Sequence, residues 1–273
     1  MNNLCCIIIL NLNGKEFTKN CLNSIKKNTY YKNYKVIVVD NNSSDGSQNL
    51  IKSKFKWIDL IENENNRGFS GGNNDGIKYA LKKYNPDYFY LLNNDTIVTK
   101  NWLLEALKTI EKSKEIGIVG SKQLTFDKKP AISAGKISMF GVKYYYGNKE
   151  KEVNWVSGAS LLIKREVINK IGFLDERYSP VYYEETDFEF RAKKYGFKII
   201  INPNSIIFHK GGGTSTNLDL NFIFYRNRFV FFIKNYGLFF FIPRMISDII
   251  KSIKLRKFHS LIKAYKEGRK LLK

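Results

Sequence analysis

Asp95 closes the run Tyr88-Phe89-Tyr90-Leu91-Leu92-Asn93-Asn94-Asp95-Thr96, an apolar, aromatic stretch that ends abruptly in two amides, a carboxylate and a hydroxyl. The apolar part reads as a buried strand. In an open α/β sheet, ligands bind beyond the carboxyl ends of the strands. A carboxylate there suits a divalent cation, because Mg²⁺ is usually held by one or two carboxylates together with substrate phosphates. The same residues also suit a turn in which Asp95 or Thr96 caps a helix starting near Trp102. Asp40 ends the apolar run Val36-Ile37-Val38-Val39 and poses the same choice. It either accepts a hydrogen bond from a base N–H, such as N3–H of uracil or thymine, or caps the next helix.

Three further segments end or begin elements with chemistry-bearing residues. Asn66-Arg67-Gly68-Phe69-Ser70-Gly71-Gly72-Asn73 has the composition of a phosphate loop, although it is neither GxGxxG nor GxxxxGK[ST]. Its glycines offer backbone N–H groups before a helix, and Arg67 adds a guanidinium; an ordinary surface loop has the same make-up. Glu184, Glu185 and Asp187 crowd three carboxylates into four positions between aromatic residues. Such crowding raises a carboxyl pKa toward that of a general base, while a solvated helix start also favours acidic residues. His209 follows Ile206-Ile207-Phe208 and precedes Lys210-Gly211-Gly212-Gly213, where a neutral imidazole can ligate a metal. Four polar strand ends in one chain favour the ligand-binding reading over isolated structural roles.

The elements that must position these residues alternate. Strands are expected at 4–12, 36–40, 57–61, 88–95 and 116–120. Helices are expected at 15–27, from about 47 to 55, from about 74 to 84, and at 102–113. Residues 65–74 read as a Gly/Asn-rich loop leading into the third helix. Short strands follow up to Tyr146, then a strand at 157–164, a helix at 185–195, and strands at 198–201 and 205–208. Strands alternating with helices imply a mainly parallel, doubly wound sheet. From Leu220 the pattern becomes helical, rich in Phe and Lys, and a boundary is placed there: a catalytic unit over 1–220 and a helical extension over 221–273.

The chain has 273 residues and a net charge of +21. An apolar fraction of 43% excludes global disorder. Residues 222–273 carry 13 Lys/Arg against 2 Asp/Glu, so more than half of the excess charge sits in the last fifth of the chain. Phe229-Val230-Phe231-Phe232-Ile233 and Leu238-Phe239-Phe240-Phe241-Ile242 precede Arg244, Lys251, Lys254, Arg256 and Lys257. This pattern suits helices lying on an anionic membrane surface, or a helical pair packed on the catalytic unit with a solvated basic face. No run reaches 18 uncharged apolar residues, so a regular membrane span is not expected. Cys5, Cys6 and Cys21 have no metal spacing and read as buried free thiols in a reducing compartment. The N-terminus has no secretory-signal pattern. Charge alone suggests nucleic acid, but no basic–aromatic motif accompanies it and no nucleic-acid partner is expected.

Taken in order, Ile9-Leu10-Asn11-Leu12-Asn13-Gly14, Val39-Asp40-Asn41-Asn42-Ser43-Ser44-Asp45-Gly46-Ser47, Asn66-Arg67-Gly68-Phe69, Leu92-Asn93-Asn94-Asp95, Glu184-Glu185-Thr186-Asp187 and His209-Lys210-Gly211-Gly212-Gly213 resemble the inverting family 2 glycosyltransferases of GT-A fold, and within them the rhamnosyltransferase-like branch. The resemblance covers about Leu4 to Asn235. It implies an α/β, Rossmann-like central sheet flanked by helices, with the C-terminal helical extension added. It implies transfer of a sugar from a nucleoside-diphosphate donor, dTDP-rhamnose or a UDP-hexose, to a glycan or lipid-linked hydroxyl in envelope polysaccharide synthesis. It places the chain in the cytoplasm at the inner face of the cell membrane.

The resemblance also implies roles. Asp40 reads the base, with Asn11, Asn42, Arg67, Gly68 and Asn94 as further nucleotide-binding positions. Asp95 is the direct ligand of a divalent cation, Mg²⁺ or Mn²⁺, and His209 its second ligand. Glu185 is the general base, with Glu184 as the alternative. Trp155, Ser157, Gly158 and Asp187 line the donor and acceptor pocket. Two departures stand out: Asn93 replaces the first Asp of the metal-binding DXD motif, and Glu185 stands where Asp is usual. Loss of that carboxylate also suits a catalytically weak glycan- or nucleotide-binding module on the same fold.

Overall fold

The computed structural model describes residues 3–138, 141–211, 219–254 and 257–272; Gly212, Gly213 and Arg256 lie outside the described residues. The strands are β1 (Cys5–Asn11), β2 (Tyr34–Asp40), β3 (Asp59–Glu62), β4 (Tyr88–Asn93), β5 (Thr96–Val98), β6 (Ile116–Leu124), β7 (Ala134–Ile137), β8 (Val142–Tyr145), β9 (Lys151–Glu152), β10 (Trp155–Val156), β11 (Ser160–Lys164) and β12 (Lys198–His209). The helices are α1 (Lys15–Asn28), α2 (Ser47–Lys54), α3 (Gly68–Lys83), α4 (Trp102–Ile110), α5 (Arg165–Ile171), α6 (Glu184–Lys194), α7 (Leu220–Lys254) and α8 (Phe258–Leu271).

A nine-stranded sheet runs β3-β2-β1-β4-β11-β6-β12-β5, with β9 beside β12; β10, β7 and β8 form a second, small sheet. The first four strands pair in parallel, and β11 enters antiparallel between β4 and β6. The expected alternation of strand and helix thus builds a largely parallel sheet flanked by helices. Period-2 side chains split the core between its two faces. Cys5, Ile7 and Ile9 pack with α1 and α4 on one face, and Cys6 and Ile8 pack with α3 and α5 on the other. The three cysteines are buried and unpaired.

One expectation is corrected here. Residues 68–74 are not a loop but the first two turns of α3. A Cβ at Gly72 would lie 2.3 Å from Leu10 Cδ1, and one at Gly76 would lie 2.5 Å from Ile8 Cγ2. These glycines let the helix press against the sheet, which composition alone does not distinguish from loop flexibility.

By length and composition, Leu220–Ile250 is long and apolar enough to cross a membrane, against the expectation from uncharged runs. Isolated charges such as Lys234 interrupt those runs without lowering the average much. Yet α7 leaves helical geometry at Gly237 (φ 80°, ψ 171°). Its first half is bolted to the catalytic body: Phe231 and Phe232 are buried with Tyr178, and Asn227 is fully buried.

Candidate functional site

Strand register gathers the polar ends at one rim of the sheet. Asn11 pairs with Asp40, Leu10 with Asn93, Leu92 with Ser160, and Thr96 with His209. A hollow of about 830 Å³ lies at the opposite end of the sheet around Asn3, Tyr88 and Lys164, away from these polar strand ends.

At the rim's left side, Asp40 is fully buried and Asn11 Nδ2 donates to its Oδ2 at 2.6 Å. Its Oδ1 accepts from Ser43 N at 2.8 Å and Gln48 Nε2 at 2.7 Å. Asp40 therefore ties β2 to the start of α2, and a ligand contact needs the remaining lone pair of the carboxylate. Asn42 is exposed with φ 67° on the same loop. Asn94 Nδ2 donates to Asn11 Oδ1 at 3.0 Å and Thr18 Oγ1 at 3.1 Å, joining the turn after β4 to this network.

Arg67 and Gly68, expected to face a phosphate, have partners within the protein. Arg67 pairs with Asp75 and Glu176 at 3.1 Å each. Gly68 N donates to Asn66 Oδ1 at 2.9 Å, and Phe69 N donates to the Pro180 carbonyl at 2.8 Å. The first amides of α3 are thereby satisfied by the protein itself.

At the centre, Asp95 is nearly buried and its Oδ1 lies 3.2 Å from His209 Nε2. Burial pushes the Asp95 carboxyl up, but the contact with His209 outweighs it and holds the group below the usual carboxylate range. His209 Nδ1 lies 3.1 Å from Gln123 Oε1. Gln123 thus fixes the ring orientation that turns Nε2 toward Asp95. A carboxylate and an imidazole 3.2 Å apart are donors of the kind that would suit Mn²⁺. The pair therefore fits a divalent cation. Among the described residues no group of three or more His, Cys, Asp or Glu is arranged to hold a metal. The rest of a coordination shell would fall to ligand phosphates and water.

On the right, Tyr182 and Tyr183 adopt left-handed backbone (φ 79° and 73°) immediately before α6. Such residues cost energy and persist only where the surroundings fix them. Asn227 Nδ2 donates to the carbonyls of Tyr178, Val181 and Tyr182 at 2.6, 2.9 and 2.9 Å, and Arg226 donates to the Ser179 carbonyl. The turn presents Glu184 and Glu185, each with a buried, unpartnered Oε2. Burial pushes both carboxyls up, and the neighbouring Glu185 adds to the rise at Glu184. A Cβ at Gly158 would lie 3.3 Å from Glu185 Cγ and 3.5 Å from Phe69 Cζ, so the segment before β11 floors Glu185. Ser157 Oγ accepts from Ala159 N at 3.4 Å and shapes that turn. Trp155 lies further out, its indole across Gly135 and edge-on to Tyr144.

Asp187 is not in this pocket. It is fully buried behind α6, bonded to Arg191 Nε at 2.9 Å, Lys234 Nζ at 2.8 Å and Tyr178 Oη at 3.1 Å. One helical turn beyond Glu185, sequence reasoning missed Glu189. It is fully buried, accepts from Val156 N at 2.9 Å through Oε1, and leaves Oε2 without a partner. The spacing of four from Glu185 was the available signal. Gln123 and Asn227 were also missed, and nothing in their local sequence marks them.

Comparison with known proteins agrees with this arrangement. The family described as Glycosyl transferase family 2 matches residues 6–172. A low-salt glycan biosynthesis hexosyltransferase, Agl10 of Haloferax volcanii, is 30% identical over 201 residues, covering 71% of this chain and 62% of the relative. The amylovoran biosynthesis glycosyltransferase AmsB of Erwinia amylovora is 27% identical over 67% of this chain and 61% of its own length. The chain thus spans about three-fifths of the length of these relatives. An N-acetylglucosaminyl-diphospho-decaprenol L-rhamnosyltransferase of Mycobacterium tuberculosis is 35% identical over 60 residues, 22% of this chain and 19% of the relative. GalNAc-T7 with UDP, GalNAc and Mn²⁺ superposes with a TM-score of 0.65 at 15% identity, over 89% of this chain and 50% of that one. S. aureus TarS superposes at 0.64 and 15% identity over 98% and 81%. The neighbours are GT-A glycosyltransferases, and the fold is GT-A.

Proposed function

The chain belongs to glycosyl transferase family 2, and we propose that it moves a sugar from a nucleoside diphosphate to a hydroxyl of a glycan or lipid-linked acceptor, with inversion at the anomeric carbon. The observation that carries the reading is the Glu185 Oε2 oxygen, buried and unpartnered beside Gly158, in the segment whose Ala159 carbonyl accepts from Asn93 N two residues before Asp95. Burial raises the pKa of this carboxyl, which makes its ionised form a stronger base. Glu185 removes the acceptor's proton, and the acceptor oxygen attacks the anomeric carbon opposite the departing diphosphate. Asp95 and His209 hold the divalent cation, which when bound neutralises charge on the leaving diphosphate. Asn11, Asp40 and Asn42 border the nucleoside end. The donor is dTDP-rhamnose or a UDP-hexose, in keeping with a rhamnosyltransferase and a hexosyltransferase among the relatives.

The second half of α7 supports work at a membrane surface. Phe239, Ile242, Ile246, Ile250 and Ile253 recur at helical spacing and are exposed by 75, 40, 51, 62 and 60%. An apolar face of this size on a strongly basic segment suits the cytoplasmic face of an anionic bilayer.

One screen tests the assignment: melting temperature against UDP, dTDP and GDP, each with and without Mn²⁺, followed by transfer from the corresponding sugar donors. Binding to the native state raises the melting temperature by mass action. A protein indifferent to every nucleotide with Mn²⁺ present is not this transferase.

A further inference from the structure

Next to Tyr183, which leads into the acid cluster, a cavity of about 150 Å³ opens between α7 and the small sheet. Tyr144, Tyr183, Phe224 and Phe232 wall it, and Arg228 and Arg244 enter from the two sides of the Gly237 break. The Arg228 guanidinium sits 5.0 Å from the Phe224 ring centre and that of Arg244 sits 5.5 Å from Phe232. Arg228 pairs with the buried Asp248, whose Oδ2 also accepts from Tyr265 Oη at 2.8 Å. Arg244 donates to the Ser138 carbonyl at 3.2 Å. The Nε–H groups of both arginines are buried without partners.

Asp248 answers Arg228, and among the described residues no carboxylate pairs with Arg244, so a positive charge is left over in an aromatic-walled space. A half-buried charge of this kind favours an anion beside it. The planar guanidinium fork matches phosphate better than it matches other anions of this size. The space is large enough for a phosphate group. A second observation names the source. Ile242 and Ile246, which flank Arg244 in sequence, are exposed and continue the apolar face of α7. An anion held by Arg244 therefore borders a surface suited to a hydrocarbon chain.

We propose that the cavity between Arg228 and Arg244 binds the phosphate of a lipid-linked acceptor, whose chain lies along the exposed face of α7. This rests on the transferase reading only for the word acceptor; the binding itself is independent of transfer. The full chain is titrated calorimetrically with farnesyl diphosphate, inorganic pyrophosphate and farnesol. Arg244→Gln removes the unpaired charge, and Val142→Phe fills the cavity from the small sheet without altering charge. Circular dichroism and a cooperative melting transition report that each variant is folded.

Farnesyl diphosphate should bind the wild type, farnesol should not, and each variant should weaken binding about 10- to 100-fold, the scale of a charged hydrogen-bonded contact. Unchanged affinity in both folded variants, or no diphosphate binding by the wild type, overturns the proposal. Pyrophosphate binding as tight as farnesyl diphosphate overturns the lipid assignment in favour of a free anion. Arg244-dependent binding in a protein that ignores every nucleotide leaves this site standing and removes the transferase reading instead.

Discussion

Lys234, on α7, places its Nζ 2.8 Å from Asp187 Oδ1 and 2.9 Å from Asp175 Oδ2. Asp187 belongs to the helix that begins with Glu184 and Glu185, so the extension is structurally part of the acid cluster. Asn227 strengthens the same joint by holding the turn at Tyr182 and Tyr183. The extension therefore braces the site, whatever else it touches.

Lys234→Met should destabilise the protein by about 3 kcal/mol, because it takes one of two cationic partners from a fully buried carboxylate. Arg191 still answers Asp187, which keeps the loss at the lower end of the range for a broken buried pair. Urea denaturation reads this as a lower midpoint at unchanged slope. A change below about 0.5 kcal/mol would place Lys234 among ordinary surface charges.

Asp95→Ala should abolish the Mn²⁺-dependent part of nucleotide affinity and leave any metal-independent part. The wild-type Asp95 carboxyl is held below the usual range, so it stays ionised as the medium is acidified to the ordinary carboxyl range. Its contribution to stability is present above the unfolded value and lost only as pH falls through the lowered folded value. Manganese titration by calorimetry, with nucleotide present, from pH 5 to 8 is the measurement. Equal manganese affinity in the variant would move the cation elsewhere.

Glu185→Gln should lower turnover by roughly 10²–10⁴-fold with a smaller effect on donor affinity, the usual range for losing a general base. The base must be ionised, and burial raises its pKa. Wild-type turnover should therefore rise with pH through that raised value, and the limb should vanish in the variant. Near-normal turnover would transfer the role to Glu184, whose Oε2 is likewise unpartnered.

The main sheet was legible in sequence because its strands are short apolar runs between turn residues, and the rim was legible because each run ends on a polar side chain. What failed had physical reasons. Gly68 to Gly76 has loop composition, yet Gly72 and Gly76 let a helix pack against Leu10 and Ile8. The partners of Arg67 include Glu176, more than a hundred residues away, which local composition does not reveal. Asp187 sits two residues from Glu185, and the 3.6-residue period turns it to the other side of the helix. Gln123 and Asn227 act through contacts that only the folded chain creates.

Glu189→Gln should stabilise the protein at alkaline pH. Burial pushes the Glu184 and Glu189 carboxyls well above the ordinary value, so the native state keeps protons that the unfolded chain releases. Stability from these groups is full below the unfolded value and declines as pH rises toward the folded ones. The glutamine amide keeps an acceptor for Val156 N and cannot ionise. Melting temperatures of wild type and variant should coincide near pH 4.5 and separate progressively toward pH 9. Parallel curves would mean that Glu189 is ionised in the native protein and that its second oxygen has a partner such as bound water.

The exposed face of α7 makes a last prediction. Ile246→Ser, Ile250→Ser and Ile253→Ser together remove three side chains exposed by half or more, so the fold should be nearly unaffected. On a bilayer each buried CH₂ contributes about 0.8 kcal/mol, and the triple variant should lose at least tenfold in partition to vesicles containing anionic lipid. Raising salt should weaken wild-type binding further, because the flanking lysines and arginines act through a screened potential. Sedimentation with vesicles of anionic and of neutral lipid separates the two contributions. If the triple variant sediments like the wild type, charge alone holds the protein to the surface and this face packs against something else.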